Sequence, residues 1–267
     1  MSKILENSCL DRLLKKIPTL IMHRYQLKIE YVGSKYFGWQ IQQKGKTIQK
    51  TIQSVLKKIF KKKIQLYGSG RTDTGVHAIE QSAHFETEKK IHNLKKFLET
   101  INFFLNNKDI SILEINKKSS NFHARFSAKE RVYKYIIYNR SSKLSLNNLR
   151  GWHIKKKLDI NLMKIGGQKL TGTKNFGTYR ASNCGSKSPI KTLKSVKIKI
   201  KREKIEIYFK SKSFLKQQVR SMVGCLKYLG EKKWDLKKFI KVMNSKKRSL
   251  CAPPAPPHGL YLEKVIY

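Results

Sequence analysis

The segment richest in chemical possibility is Gly68-Ser69-Gly70-Arg71-Thr72-Asp73-Thr74-Gly75-Val76-His77-Ala78. Its three glycines allow unusual backbone angles and let a ligand come close to the main chain. Asp73 is one of only five aspartates in the chain. A carboxylate inside a glycine loop repels a phosphate. Beside a cation such as Arg71 it stays ionised and serves as a nucleophile or base. The plainer alternative is an aspartate that merely closes the loop as an Asx-turn. His77 reads as a structural, hydrogen-bonded loop residue. Two phosphate motifs are excluded. A P-loop ends in Gly-Lys-Ser/Thr, which is absent. A dinucleotide fingerprint needs Gly where Asp73 stands and a helix afterwards, whereas Ile79 to Glu86 alternates like a strand.

The rest of the chain suggests the loop's partner. Lys plus Arg number 59 against 17 Asp plus Glu, a formal net charge of +42. Such an excess draws polyanions, because each lysine near a phosphate releases counterions. Abundant Lys, Ile and Asn together also follow from an A- and T-rich genome, so charge supports a nucleic-acid partner without establishing one. Against 48 lysines there are 11 arginines. An arginine retained against that drift marks a place that needs a planar fork. Arg71, Arg125, Arg131, Arg180 and Arg220 are such places. Four cysteines (Cys9, Cys184, Cys225 and Cys251) show no CxxC spacing. Neither a disulfide framework nor a zinc site is expected, and the expected compartment is reducing, hence cytoplasmic. No apolar run reaches the roughly 20 residues that a bilayer requires, and no signal peptide is visible.

The elements that must position the loop are legible from periodicity. Residues 1–22 read as an extension, with Leu10, Leu13, Leu14 and Ile17 on one helical face before Pro18. Tyr25, Leu27, Ile29 and Tyr31 alternate with polar residues, which predicts a strand with one buried face. Thr47 caps a helix whose stripe is Ile48, Ile52, Val55, Leu56, Ile59 and Phe60. Strands are expected at Ile64 to Tyr67, Ile79 to Glu86 and Ile110 to Ile115, and a helix at Leu94 to Leu105. The second half repeats the theme. It has a β-rich run from Arg131 to Tyr138 and a helix from Ile160 to Leu170. A hairpin should pair Val196, Ile198 and Ile200 with Ile205, Ile207 and Phe209. A helical stripe (Leu215, Val219, Met222, Val223 and Leu226), a helix from Leu236 to Met243 and a last strand from Leu260 to Ile266 follow. Two halves, 23–117 and 118–267, each with strands and two helices, predict an α+β protein. Its helices pack on a largely antiparallel sheet that the halves share. Phe37 and Trp39 are expected in the core. Arg220 lies at the flank of its helical stripe, able to face a site while its neighbours pack.

Five segments in order resemble one family. Gly70-Arg71-Thr72-Asp73-Thr74-Gly75-Val76-His77-Ala78 is similar to the signature of the tRNA pseudouridine synthase A family. Tyr31-Val32-Gly33-Ser34-Lys35-Tyr36-Phe37-Gly38-Trp39-Gln40 resembles its amino-terminal motif. Phe122-His123-Ala124-Arg125-Phe126-Ser127-Ala128 with Tyr133-Lys134-Tyr135 resembles its central one. Val219-Arg220-Ser221-Met222-Val223-Gly224 resembles its carboxy-terminal helix, and Gly259-Leu260-Tyr261-Leu262 its closing strand. The likeness runs from about Tyr25 to the end. Thr74 departs from it where Ala is common, as does Lys174-Asn175-Phe176 where an acidic residue often precedes the Phe.

The resemblance implies two ferredoxin-like halves sharing a mostly antiparallel sheet, with helices on one side and a basic active-site cleft. It implies a cofactor-free, metal-free homodimer acting on uridines of the tRNA anticodon stem-loop. It puts Asp73 on the catalytic aspartate and Arg220 on the arginine that pairs with it. Tyr133 falls on the tyrosine that stacks on the target base, and Arg71 on a basic residue linked to displacing the nucleotide. Asp73 could then attack C1′, attack the uracil ring, or take the 2′ proton; all three need an ionised carboxylate. Two competing readings remain at this point: a non-catalytic RNA-binding protein of ferredoxin-like fold, and a nucleotide-binding enzyme using the glycine loop.

Overall fold

The computed structural model describes residues 21–267; the helix expected around Leu10, Leu13, Leu14 and Ile17 lies outside them. β1 (His23–Tyr31) buries Tyr25, Leu27, Ile29 and Tyr31, the four alternating residues of the sequence pattern. Helix α1 (Ile48–Phe60) begins where Thr47 Oγ1 accepts the Lys50 N–H at 3.3 Å. Helix α2 (Leu94–Leu105) begins where Asn93 Oδ1 accepts the Lys96 N–H at 2.8 Å. Each such cap is worth about 1 kcal/mol. β2 (Leu66–Gly68), β3 (His77–Thr87) and β4 (Ile110–Lys118) complete the first half.

The second half contains β5 (Glu130–Asn139), β6 (Trp152–Ile154), helix α3 (Ile160–Leu170), β7 (Gly172–Asn175), β8 (Ile190–Lys201) and β9 (Lys204–Ser211). Helices α4 (Gln218–Gly230) and α5 (Leu236–Asn244) and strand β10 (Leu260–Ile266) follow. The predicted hairpin is in register, with Val196 opposite Phe209, Ile198 opposite Ile207 and Ile200 opposite Ile205. The second half holds three helices rather than two, because the apolar stripe after Leu215 and the segment after Asp235 form separate helices. The expectation missed β6 and β7, three and four residues long, too short for alternation to show.

All ten strands join one sheet in the order β4-β1-β3-β10-β5-β9-β8-β7, with β2 on β3 and β6 on β5. Most pairings are antiparallel; β10 runs parallel to β3, and β6 parallel to β5. The β3–β10 contact is the seam between the halves, so they share one continuous sheet. Register carries one face across it. Tyr31 stands opposite Ala78, Ala78 beside Leu262, and Leu262 opposite Tyr133. Tyr135 and Ile137 continue that face, and a single apolar cluster runs from Tyr25 to Val265 beneath the helices of both halves. No helix among the described residues is long and apolar enough to cross a membrane.

Phe37 corrects one expectation. Trp39 is buried, but Phe37 is 51% exposed. Gly38, at φ +79°, separates them. That left-handed backbone turns Trp39 inward under the glycine loop and leaves Phe37 outside.

Candidate active site

The Gly68–Ala78 loop is held from both ends and from below. Ser69 donates its N–H to Ser82 O at 2.7 Å and its hydroxyl to Gln81 Oε1 at 2.7 Å. Gln81 Nε2 donates to Gly70 O at 3.1 Å. Trp39 N donates to Thr72 O at 3.1 Å, and the Thr72 and Tyr31 hydroxyls are 2.8 Å apart. A Cβ on Gly38 would overlap Thr72 O, so only glycine lets the two backbones approach this closely. Beyond Asp73, the Val76 N–H returns to Asp73 O at 3.1 Å, closing the turn through the main chain. His77 is buried. Its Nδ1 accepts the Gly33 N–H at 3.0 Å, and its Nε2 lies 3.1 Å from both Leu149 O and His258 O. Burial first, and the Arg150 charge second, lower its pKa to about 4. A neutral ring tying three chain segments together is the structural role expected of it.

The Asp73 carboxylate is therefore free of loop duty. Among the described residues no backbone N–H donates to it, so it is not an Asx-turn. Its partner is Arg220, in the first turn of α4, with Nη1 3.5 Å from Asp73 Oδ2. The Arg220 side chain is 13% exposed and that of Asp73 30%. A second contact aims the guanidinium, for Arg220 Nε donates to Ala255 O at 2.7 Å. Ala255 N in turn donates to Arg220 O at 2.9 Å, locking the segment around Ala255 onto the helix. That approach requires Gly224, where a Cβ would overlap Pro253 O. The fork is thus divided between a carbonyl that orients it and a carboxylate that it neutralises, a geometry an ammonium does not reproduce.

Tyr133 lies on the shared sheet face, 9% exposed, with its ring edge-on to Phe214 at 5.2 Å and 87°. Burial raises its pKa to about 12, opposed by Arg131 and reinforced by Asp73. The Asp73 charge thus adds to burial in keeping the phenol neutral at pH 7. Arg71 stands apart. It is exposed on the loop's shoulder, with Nε donating to Gln40 Oε1 at 3.2 Å. So the structure pairs Asp73 with Arg220, sets Tyr133 within reach of the Asp73 charge, and leaves Arg71 exposed outside that pair.

Two positioning elements are not among the candidate site residues, although Arg131 is marked as a retained arginine. Arg131 Nη2 donates to Ser69 O at 2.6 Å and to Arg125 O at 2.9 Å, while Nη1 donates to Lys212 O at 2.6 Å. It ties the start of the loop to two other segments. Its retention among so many lysines was the available signal, and Arg180 behaves likewise, forking onto Cys184 O and Ser186 O. The other element is the Ala252–His258 stretch, which works through backbone carbonyls and so carries no chemical signature in its side chains. No group of three or more His, Cys, Asp or Glu among the described residues could hold a metal ion.

Comparison with known proteins identifies the family. A family model described as tRNA pseudouridine synthase matches residues 28–127 and 167–267, which include Asp73 and Arg220. A protein of Pelagibacter ubique named tRNA pseudouridine synthase A is 67% identical over 246 residues, covering 92% of this chain and all of the relative. Proteins with the same name from Parvibaculum lavamentivorans and Rhodopseudomonas palustris are 39% and 40% identical, each again over 92% of this chain and their whole length. An ordered set of motifs, a loop that frees one carboxylate, and identity along nearly the whole chain converge, and the chain belongs to the tRNA pseudouridine synthase A family.

Proposed function

We propose that this protein isomerises uridine to pseudouridine in the anticodon stem-loop of tRNA, with Asp73 as the catalytic carboxylate acting on an extruded nucleotide. One observation carries the reading. The only carboxylate in the glycine loop makes no loop hydrogen bond and instead meets a guanidinium delivered from the other half of the chain. A structural aspartate would close its own turn; this one faces the Arg220 guanidinium and is left available.

The reaction breaks the bond from C1′ to N1 of uracil, turns the base, and joins C1′ to C5, with the C5 proton leaving last and N1 gaining one. A stacked nucleotide hides these atoms, so the uridine must leave the stack at a cost of about a few kcal/mol. Stacking on Tyr133 offsets roughly 1–3 kcal/mol of this, and Arg71, exposed on the loop, enters the space the nucleotide vacates. Asp73 then acts on C1′, on the ring, or on the 2′ proton. Arg220 neutralises the carboxylate's charge against a partly desolvated surround. Tyr133, neutral at pH 7, acts as a platform and hydrogen-bonding group rather than as a phenolate base. The two halves are read as ferredoxin-like subdomains, 23–117 and 118–267. In support, the spatial orders β4-β1-β3-β2 and β10-β5-β9-β8 repeat the same arrangement of first, second, third and fourth strands. A homodimer in the cytoplasm is the proposed working form.

The test is release of tritium from C5-labelled uridine in tRNA. Wild-type protein is expected to release it, and Asp73→Asn to bind tRNA with unchanged affinity and release none. Normal turnover by Asp73→Asn removes the catalytic assignment. RNA binding without release by the wild type would favour a non-catalytic binding protein.

A further inference from the structure

Among the exposed aromatic residues outside the Asp73 site, one group adjoins the glycine loop. Phe126 is 74% exposed and Tyr67 42%. Between them stands His123, with ring centroids 4.4 Å from Phe126 and 5.9 Å from Tyr67. Tyr67 also stacks on His84 at 5.0 Å and 21°. An exposed phenylalanine on a floppy loop would fold back onto the surface; this one is braced. His123 Nδ1 accepts the N–H groups of Arg125 and Phe126 at 3.1 and 3.3 Å. Ser127 N donates to His123 O at 2.9 Å, and His123 N donates to Ser127 Oγ at 2.9 Å. The Ala124 N–H donates to His84 Nδ1 at 3.1 Å. Burial first, then neighbouring guanidiniums, lower the pKa of His123, which keeps Nδ1 an acceptor.

The braced ring lies beside a guanidinium and is tied to the glycine loop. Arg125 is exposed, with its guanidinium carbon 5.5 Å from the Phe126 centroid. The Arg131 guanidinium joins Arg125 O to Ser69 O, so the aromatic turn and the Asp73 loop are bolted to one side chain. Tyr67 immediately precedes that loop. An exposed, rigid π-face flanked by a guanidinium is what an unpaired base stacks on.

We infer that Phe126, with Tyr67 and Arg125, forms a second stacking platform that holds an unpaired base of the substrate RNA near the target uridine. The inference rests on the tRNA reading above and adds a subsite to it. The platform serves binding, because it contacts no reacting atom. A π-face rather than mere bulk is required, since base stacking depends on ring overlap.

The experiment uses full-length protein and tRNA. Phe126→Ala is expected to weaken tRNA binding and raise KM roughly tenfold, the scale of one lost base stack, with kcat retained. Phe126→Leu should behave like Phe126→Ala, and Phe126→Trp like wild type. With 2-aminopurine placed in turn at each unpaired anticodon-loop position, one position should be quenched by wild type and not by Phe126→Ala. Unchanged binding in Phe126→Ala overturns the proposal. So does full rescue by Phe126→Leu, or a loss of binding that tracks dissociation into smaller species by sedimentation, which would make the ring a contact between protein copies. If the wild type shows Phe126-dependent quenching but makes no pseudouridine, the catalytic reading fails and the platform stands.

Discussion

Replacing Arg220 by lysine keeps the charge and removes the geometry. Arg220 uses two different nitrogens at once, Nε on Ala255 O at 2.7 Å and Nη1 toward Asp73 Oδ2 at 3.5 Å. A lysine at this position has one ammonium on a flexible stem. It can stay with the carbonyl or reach the carboxylate, but it cannot span both. Hydrogen bonds involving a charged group are worth about 1.5–3 kcal/mol. The one such bond here is to Ala255 O; losing it or the ion pair it aims, with the barrier raised by up to that amount, corresponds to a rate loss of up to roughly 150-fold. The effect should fall on the chemical step, because under the proposed function the pair acts on the reacting sugar, and the side chain, 13% exposed, offers little surface to RNA. Single-turnover tritium release with saturating protein isolates that step, and filter binding reports affinity separately. The reasoning predicts a slowed single turnover with tRNA affinity within about twofold, the scale of a surface substitution. An unchanged single-turnover rate for Arg220→Lys would refute the claim that a divided fork holds Asp73. A rate loss matched by an equal loss of affinity would move Arg220 from the carboxylate to the RNA backbone.

Three further outcomes follow from the same geometry. Gly224→Ala should push the Pro253 carbonyl off α4 and slacken Ala255 from Arg220; overpacking of this kind costs about 1–3 kcal/mol. Its urea midpoint should fall and its single-turnover rate should drop with it, whereas stability and rate at wild-type values would disprove the clamp. Acid should destabilise the protein through its buried neutral histidines. The folded pKa of His77 is about 4, depressed by burial below the ordinary histidine value of about 6.5. The unfolded chain thus binds the extra proton first, and stability rises with pH between about 4 and 6.5, by about 3 kcal/mol at most for this group. His84, also near 4, adds to the same window. Denaturation midpoints for wild type and His77→Gln should converge toward pH 4 and separate near neutrality; parallel curves would show that His77 does not titrate differently on folding. Arg131→Lys should loosen the Ser69 and Arg125 carbonyls together and speed hydrogen exchange in both segments. Faster exchange in only one of them would show that the side chain does not couple them.

Much of this protein was legible before any coordinates. Alternation at Tyr25 to Tyr31, the stripe after Thr47 and the register-ready residues of the β8–β9 hairpin are local patterns, and local backbone sterics and burial of one face read them out. The glycine loop and its unusual carboxylate were visible for the same reason, since residue type and spacing are themselves sequence. What the chain could not disclose by itself was distance. Whether Asp73 closes its own turn or faces a guanidinium depended on Val76 N–H reaching Asp73 O through the main chain and so leaving the side chain free. Arg71, the nearest cation in sequence, turned outward to Gln40, while Arg220 arrived from α4 in the other half of the chain. The Ala252–His258 stretch was silent because carbonyls act through position, and position is fixed only when α4 and the sheet pack. Tertiary structure decided the electrostatics of the site because charge interactions weaken with separation in space, to which separation along the chain is no guide.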